Sequence, residues 1–435
     1  MRTRCWLRTA FLFLLLAEVA PAAFADPGLG AGASAAVPRE NWEARQRMQD
    51  TIFAPLNEAV SSRQTILTQS GDGPRVLFQH DAQSDALYLV FANQEGTRYP
   101  LDGAGTYIIK RSMKDGSFVQ AKIFVQDGPG SYLRLFPSGD RTKMDIFLFG
   151  EPFQVEIFLP VSFERLIIAP LSRIIDLSAA SVDWRLVLAP AARTSADERI
   201  EGMVKTLRSR LPGLRDMDDG AMDSNGRMVY IATGLPAGKG GFNCSGFAKW
   251  VVDGLFRPLS GVDTDIAVLK SRTAGKSHTW ASRFEEELDP WFGLDWSRGL
   301  ARAIMQARTG AAPTDEEIDV RDSRRVPYVR DVGYPVPRLH YLLYFLARAN
   351  PGDFYIGSVN APSALAVSEG TPTLRQHHHV IVLFPYFDAQ GVFQVSVMER
   401  NKETSLESLT RRYAGEFVHL VHVDSEGEFA LPKIE

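Results

Sequence analysis

The period of the apolar positions changes along this chain of 435 residues. Between about 72 and 160 the apolar residues come in short runs: ALYLVFA, GTYIIKR, QAKIFVQ, SYLRLF, MDIFLFG and FQVEIFLP. These runs are rich in β-branched and aromatic residues, and Gly, Pro, Asp and Asn separate them. That pattern predicts strands, and the tight turns predict antiparallel neighbours. A β-rich domain of about six or seven strands is expected, with one or two helices over 162–188 leading out of it. Residues 26–40 read as a Gly, Ala and Pro leader, and 42–60 as a helix of mixed charge. From Thr194 the period lengthens. SADERIEGMVKTLRSRL, 195–211, fits an amphipathic helix with Ser195 as its N-cap. Helical patterns return at 281–308 and 337–349, and HHHVIVLFPYF, VFQVSVMER and EFVHLVHV follow as strands. Helices followed by antiparallel strands make an α+β arrangement. The expected units are 26–71 (leader and helix), 72–193 (β-rich, with trailing helices) and 194–435. No internal repeat is present.

The first 25 residues stand apart. Arg2, Arg4 and Arg8 precede the apolar run Ala10–Ala17, and Ala23-Phe24-Ala25 precedes Asp26. This reads as a secretory signal, 1–25, and places the protein in the periplasm or outside the cell. The run is too short for a membrane span, and no other segment is apolar enough to be one. Removing the signal leaves 45 basic and 51 acidic residues, a net charge of −6. No strongly basic segment survives, which argues against a nucleic-acid partner.

Of the two cysteines, Cys5 leaves with the signal and Cys244 remains. A lone thiol in an exported chain is either buried and inert or reactive. Its context is GKGGFNCSGFAKW, 238–250. Asn243 suits an N-cap, and Phe247, Val251 and Leu255 form one buried helical stripe. Cys244 then sits in the first turn, where the helix dipole favours a thiolate and free backbone N–H groups can receive an oxyanion. Ser245 and Gly246 are expected to keep the ground above the thiol open. The competing reading is a small buried hydrophobe.

A thiol nucleophile needs a base, and the base needs an orienter. Three of the eight histidines are consecutive: His377, His378 and His379. Alternation along HVIVLF puts His379 on the face of Ile381 and Leu383, with His378 facing the opposite way. A hairpin turning at DAQG, 388–391, sets His379 opposite residue 400, give or take one. Glu399 and Asn401 are therefore both candidates to hold the imidazole. Metal ligation by the histidine run is disfavoured, because His419 and His422 fall on opposite faces of their strand and add no ligand set.

Three segments together resemble the NlpC-type peptidoglycan peptidases, a papain-like family of secreted bacterial cysteine hydrolases. They are GLPAGKGGFNCSGFAKWV (234–251), NPGDFYIG (350–357) and HVIVLF (379–384), in the family's order. The resemblance covers roughly 195–425. It implies a cysteine helix packed on an antiparallel sheet and amide hydrolysis in peptidoglycan stem peptides through a thioester. It also implies Cys244 as nucleophile, His379 as base, Glu399 as the best match for the third group, and no metal or organic cofactor. Two positions depart from the family. Ala237 replaces its loop tyrosine and Asn243 its aspartate, groups that hold a free stem-peptide amine in some members. Loss of both predicts that a free N-terminal L-Ala is not required.

The 135 residues from Cys244 to His379 exceed what a compact member uses, so 256–349 reads as a mostly helical insertion. Its Trp280, Trp291 and Trp296 suggest a sugar platform or a core, and the arginines of RDSRRVPYVRD, 321–331, suggest carboxylate contacts or a solvated loop. Two rival functions remain: a catalytically silent wall-binding protein, and a thiol-dependent acyltransferase on the same fold.

Overall fold

The computed structural model describes residues 35–273, 289–321, 325–363 and 375–434. The expected signal, the start of the leader and Trp280 lie outside the described residues.

The first unit is an eight-stranded antiparallel meander in which each strand pairs with the next: β1 Thr65–Leu67, β2 Val76–Ala82, β3 Ala86–Asn93, β4 Tyr107–Ser112, β5 Phe118–Phe124, β6 Tyr132–Ser138, β7 Arg141–Leu148 and β8 Glu151–Leu159. β1 and β2 go beyond the expected runs. Leu87, Leu89 and Phe91 of β3, a strand buried almost throughout, and the alternating Leu133 and Leu135 of β6 join one core. The helices flanking the meander add Phe163, Leu171 and Ile174 to it.

The second unit opens with α1, Ser195–Arg210. Its N-cap is Thr194 rather than Ser195. The Thr194 hydroxyl accepts the Asp197 N–H while the Asp197 carboxylate accepts the Thr194 N–H, so two orphan amides are satisfied reciprocally. A small hairpin follows, β9 Gly220–Met222 with β10 Met228–Tyr230, and then the cysteine helix α2, Cys244–Ser260. Helices α3 (Phe292–Thr309) and α4 (Leu339–Ala349) lead to a six-stranded antiparallel sheet. Its order is β11 (Tyr334–Pro335), β16 (Phe417–Asp424), β12 (Asp353–Pro362), β13 (Arg375–Phe387), β14 (Phe393–Glu399) and β15 (Lys402–Thr404), with helix α5, Leu406–Arg412, between β15 and β16. The observed architecture is α+β with a β-rich N-terminal region.

The near-continuous apolar text of β13 has a direct cause: the strand is buried on both faces. Val380, Val382 and Phe384 pack with α1, α2 and α3. Ile381, Leu383 and Phe387 pack with α4 and share one continuous core with the eight-stranded sheet. The described helices α3 and α4 of 256–349 are therefore part of the two cores. Trp296 is fully buried, and its indole N–H donates to the Ser245 carbonyl at 2.9 Å, so it is no sugar platform. From the 321–331 stretch, Arg321 bonds Asp319, and Arg325 stacks over Phe153 and Phe345. Residues 429–432 close over α2: Ala430 N–H donates to Gly254 O, Trp250 Nε1 to Pro432 O, and the Phe429 ring fills the space a side chain at Gly254 would need.

The β7–β8 hairpin ties the two units together. Its turn residues Phe149 and Gly150 have φ of 52° and 85°. That twist suits a two-residue hairpin, but it strains a phenylalanine. The ring offsets the strain by entering an aromatic nest, 4.2 Å from His340, 4.9 Å from Tyr344 and 5.6 Å from Phe393. Phe149→Ala should lower stability by roughly 3 kcal/mol, read as a reduced urea midpoint.

Candidate active site

Asn243 caps α2 by accepting the Gly246 N–H at 2.7 Å, which leaves the Cys244 and Ser245 N–H groups without partners among the described residues. Gly246 serves close packing rather than open space. A Cβ there would meet Gly220 O at 2.0 Å, and Ser245 is likewise buried. Cys244 remains partly exposed at the helix tip, in a cavity of about 280 Å³ lined by Asp218, Asn243, Phe292, His379 and Arg400 among others. The N-terminal end of α3 borders the same cavity. A cavity of about 250 Å³ beside Trp42 and Glu43 offers no comparable nucleophile.

Strict alternation fails within the histidine run. Val359 of β12 opposes His379, but Asn360 opposes His377, so His378 is an extra residue in a β-bulge. His378 and His379 consequently both approach the Tyr413 ring, at 6.0 and 5.9 Å, rather than facing opposite ways. His377 turns inward. Its ring bonds Ser358 Oγ at 2.9 Å and the Asp331 carbonyl at 3.0 Å, and burial holds it neutral, well below the usual imidazole range. His378 pairs with Glu416 at 2.8 Å. No pattern in the sequence marks the bulge.

β14 pairs with β13 only from Val382 onward, which leaves the β13 edge open around His379 and Val380. The Cys244 sulfur, 3.9 Å from Ser245 Oγ, shares its cavity with His379 and Val380 of that edge, and both act on the thiol electrostatically. His379 Nε2 is held by Glu399 Oε2 at 2.8 Å, so Nδ1 is the nitrogen left for the sulfur. Asn401, the other candidate orienter, is occupied elsewhere. With Arg400 it forms the β14–β15 turn, both residues having positive φ, and its amide donates to Arg215 O at 2.7 Å and to Phe242 O at 3.3 Å.

Burial alone would push the Cys244 thiol up. Hydrogen bonding and charge from His379 outweigh it, and the thiol lies below its ordinary range. Burial would likewise depress His379, but Cys244 and Glu399 push it up to about 9. Glu399 is almost fully buried, which raises its carboxyl, yet His379 and Arg412 bring it below the usual range. The arrangement favours a thiolate–imidazolium pair with a buried carboxylate behind it.

Residues 33–186 match the family described as "Domain of unknown function (DUF8515)". That span holds the meander and its flanking helices and stops short of Cys244. Neither a curated protein nor a solved structure matches the chain. No described helix is long and apolar enough to cross a membrane.

Iodoacetamide should label Cys244 at pH 7 faster than it labels a free cysteine, because the thiolate persists below the ordinary thiol range. His379→Ala should return the rate profile toward that of a free thiol, slowing labelling at pH 7 by roughly tenfold. Mass-spectrometric time courses across pH measure both.

Proposed function

We propose that this protein is an exported cysteine hydrolase that cleaves amide bonds in peptidoglycan stem peptides, on a papain-like NlpC-type C-terminal domain. The observation that carries the hydrolase reading is a thiol at a helix N-terminus beside an imidazole whose far nitrogen is held by a buried carboxylate. The substrate class comes from the three-segment resemblance.

The chemistry follows from the geometry. The Cys244 thiolate attacks the amide carbon, and the new oxyanion lies over the free N–H groups at the start of α2. The His379 imidazolium gives its proton to the departing amine, and the C–N bond breaks to leave a thioester. Neutral His379 then takes a proton from water, whose hydroxide attacks the thioester. The acid leaves, the proton stays on His379, and the thiolate is restored. Above about pH 9 the imidazolium is lost. Amine departure then has no acid, so hydrolysis should fall there while alkylation of the thiolate continues.

The cap geometry supports the relaxed demand for a free amine. The Asn243 oxygen is engaged by Gly246 N–H, and the Asp218 carboxylate at the cavity rim is held by Arg400 at 2.6 Å. Neither is a free anionic grip for an ammonium.

Purified sacculi incubated with the protein should release stem-peptide fragments. Cys244→Ser should abolish release and Glu399→Ala should only weaken it, both scored by chromatography of soluble products. Intact muropeptide should be hydrolysed at least as well as free tetrapeptide; a strong preference for the free peptide would overturn the relaxed specificity. Slow thiol labelling combined with no release would instead favour the silent wall-binding reading.

A further inference from the structure

The carboxylate behind His379 has a second cation. Glu399 is 1 % exposed, and its two oxygens serve different partners. Oε2 meets His379 Nε2 at 2.8 Å, while Oε1 takes a hydrogen bond from Arg412 Nη2. Imidazole, carboxylate and guanidinium thus form one hydrogen-bonded chain, and the Cys244 sulfur shares the cavity of its imidazole end. α5 brings the last member. Its N-cap Ser405 accepts the Ser408 N–H, Leu409 is fully buried, and Arg412 is its final residue, with the guanidinium 5.2 Å from the Tyr413 ring centroid.

We propose that Arg412 is a positioning residue for Cys244: it keeps Glu399 ionised and aimed, so that Glu399 can keep His379 as the imidazolium that activates the thiol. The proposal rests on the Cys244–His379 reading and not on the identity of the amide cleaved.

The physical need is specific. A carboxylate this deeply buried tends to take up a proton. One of its two cations, His379, must itself lose and regain a proton in each turnover and cannot hold the charge constant. An arginine can, since its guanidinium does not titrate in the working range. The other charged groups nearby are committed elsewhere. Arg400 is turned to Asp216 and Asp218, His378 to Glu416, and Lys402, paired across the hairpin from Glu399, is exposed. The Tyr413 ring stands beside both His379 and Arg412. An exposed ion pair at a helix end would contribute little, but here the anionic partner is sealed from water.

The test is the pH profile of Cys244 alkylation by iodoacetamide between pH 5 and 9, in the full chain. Arg412→Gln should let Glu399 protonate on the acid side and release the imidazolium. Labelling at pH 5–6 should therefore fall about tenfold while the rate at pH 8.5 stays within about twofold of wild type. Arg412→Lys, which keeps the charge, should restore most of the acid limb. Equal slowing at every pH would mark a merely structural role, and faster labelling at acid pH would mean the cation opposes the imidazolium. Either result overturns the proposal. If Arg412→Gln does not fold, the comparison of Glu399→Gln with Glu399→Gln/Arg412→Gln decides. The two should label alike, and a further tenfold loss in the double variant would show Arg412 acting independently of Glu399. If the profile behaves as expected but sacculi release nothing, the peptidase reading fails and this one stands.

Discussion

β13 is the constraint on which the site depends. A strand buried on both faces cannot slip by one residue without driving every side chain into the wrong core. Val382 and Phe384 are committed to the helix layer, and Ile381 and Leu383 to the core shared with the meander. The bulge at His378 therefore lies next to a fixed rail, and the position of His379 at the open edge follows from it. The cysteine helix is located with equal firmness. Gly246 presses on Gly220, and Trp296 holds the Ser245 carbonyl. Two rigid elements meet, so the sulfur and the imidazole need no loop closure to find each other.

The electrostatics work against burial at each member of the site. Desolvation opposes the thiolate, the imidazolium and the carboxylate, and at each of them hydrogen bonding and charge from neighbours outweigh it. Buried charges of this kind are weak evidence for stability. They are better evidence for chemistry, because strong opposing shifts cluster where a group must be held ready in one protonation state. A different network, Arg298 with Asp319 and Asp331, lies beside His419, and Asp319 is shared with Arg321.

Much of the fold was legible because local rules act there without competition. The meander strands follow from alternation and turn residues, and α2 follows from its N-cap and its four-residue stripe. Glu399 came within reach from hairpin arithmetic alone, because the turn at 388–391 fixes the register. Other features depend on contacts between distant segments. The bulge that turns His377 inward arises where the start of α3 approaches β12 and β13: the His377 N–H donates to Pro290 O, and Gly293 has no room for a side chain beside Ser358. Alternation could not foresee that. Asn401 looked like an orienter, but an asparagine that accepts positive φ is equally a turn residue, and the turn claimed it. The tryptophans of 256–349 were ambiguous for the reason large aromatics always are: composition does not say whether a ring faces solvent or a core.

The closure of residues 429–432 over α2 carries a consequence for timing. β16 lies between β11 and β12, and the backbone of Ala430 and Pro432 completes the seat of the helix that bears the thiol. A growing chain that has not yet passed β16 has a gap in its second sheet, and one that has not reached residue 432 leaves the Trp250 indole N–H without its acceptor. The nucleophile is thus seated only after synthesis has passed that point, so an unfinished polypeptide does not yet carry an assembled site.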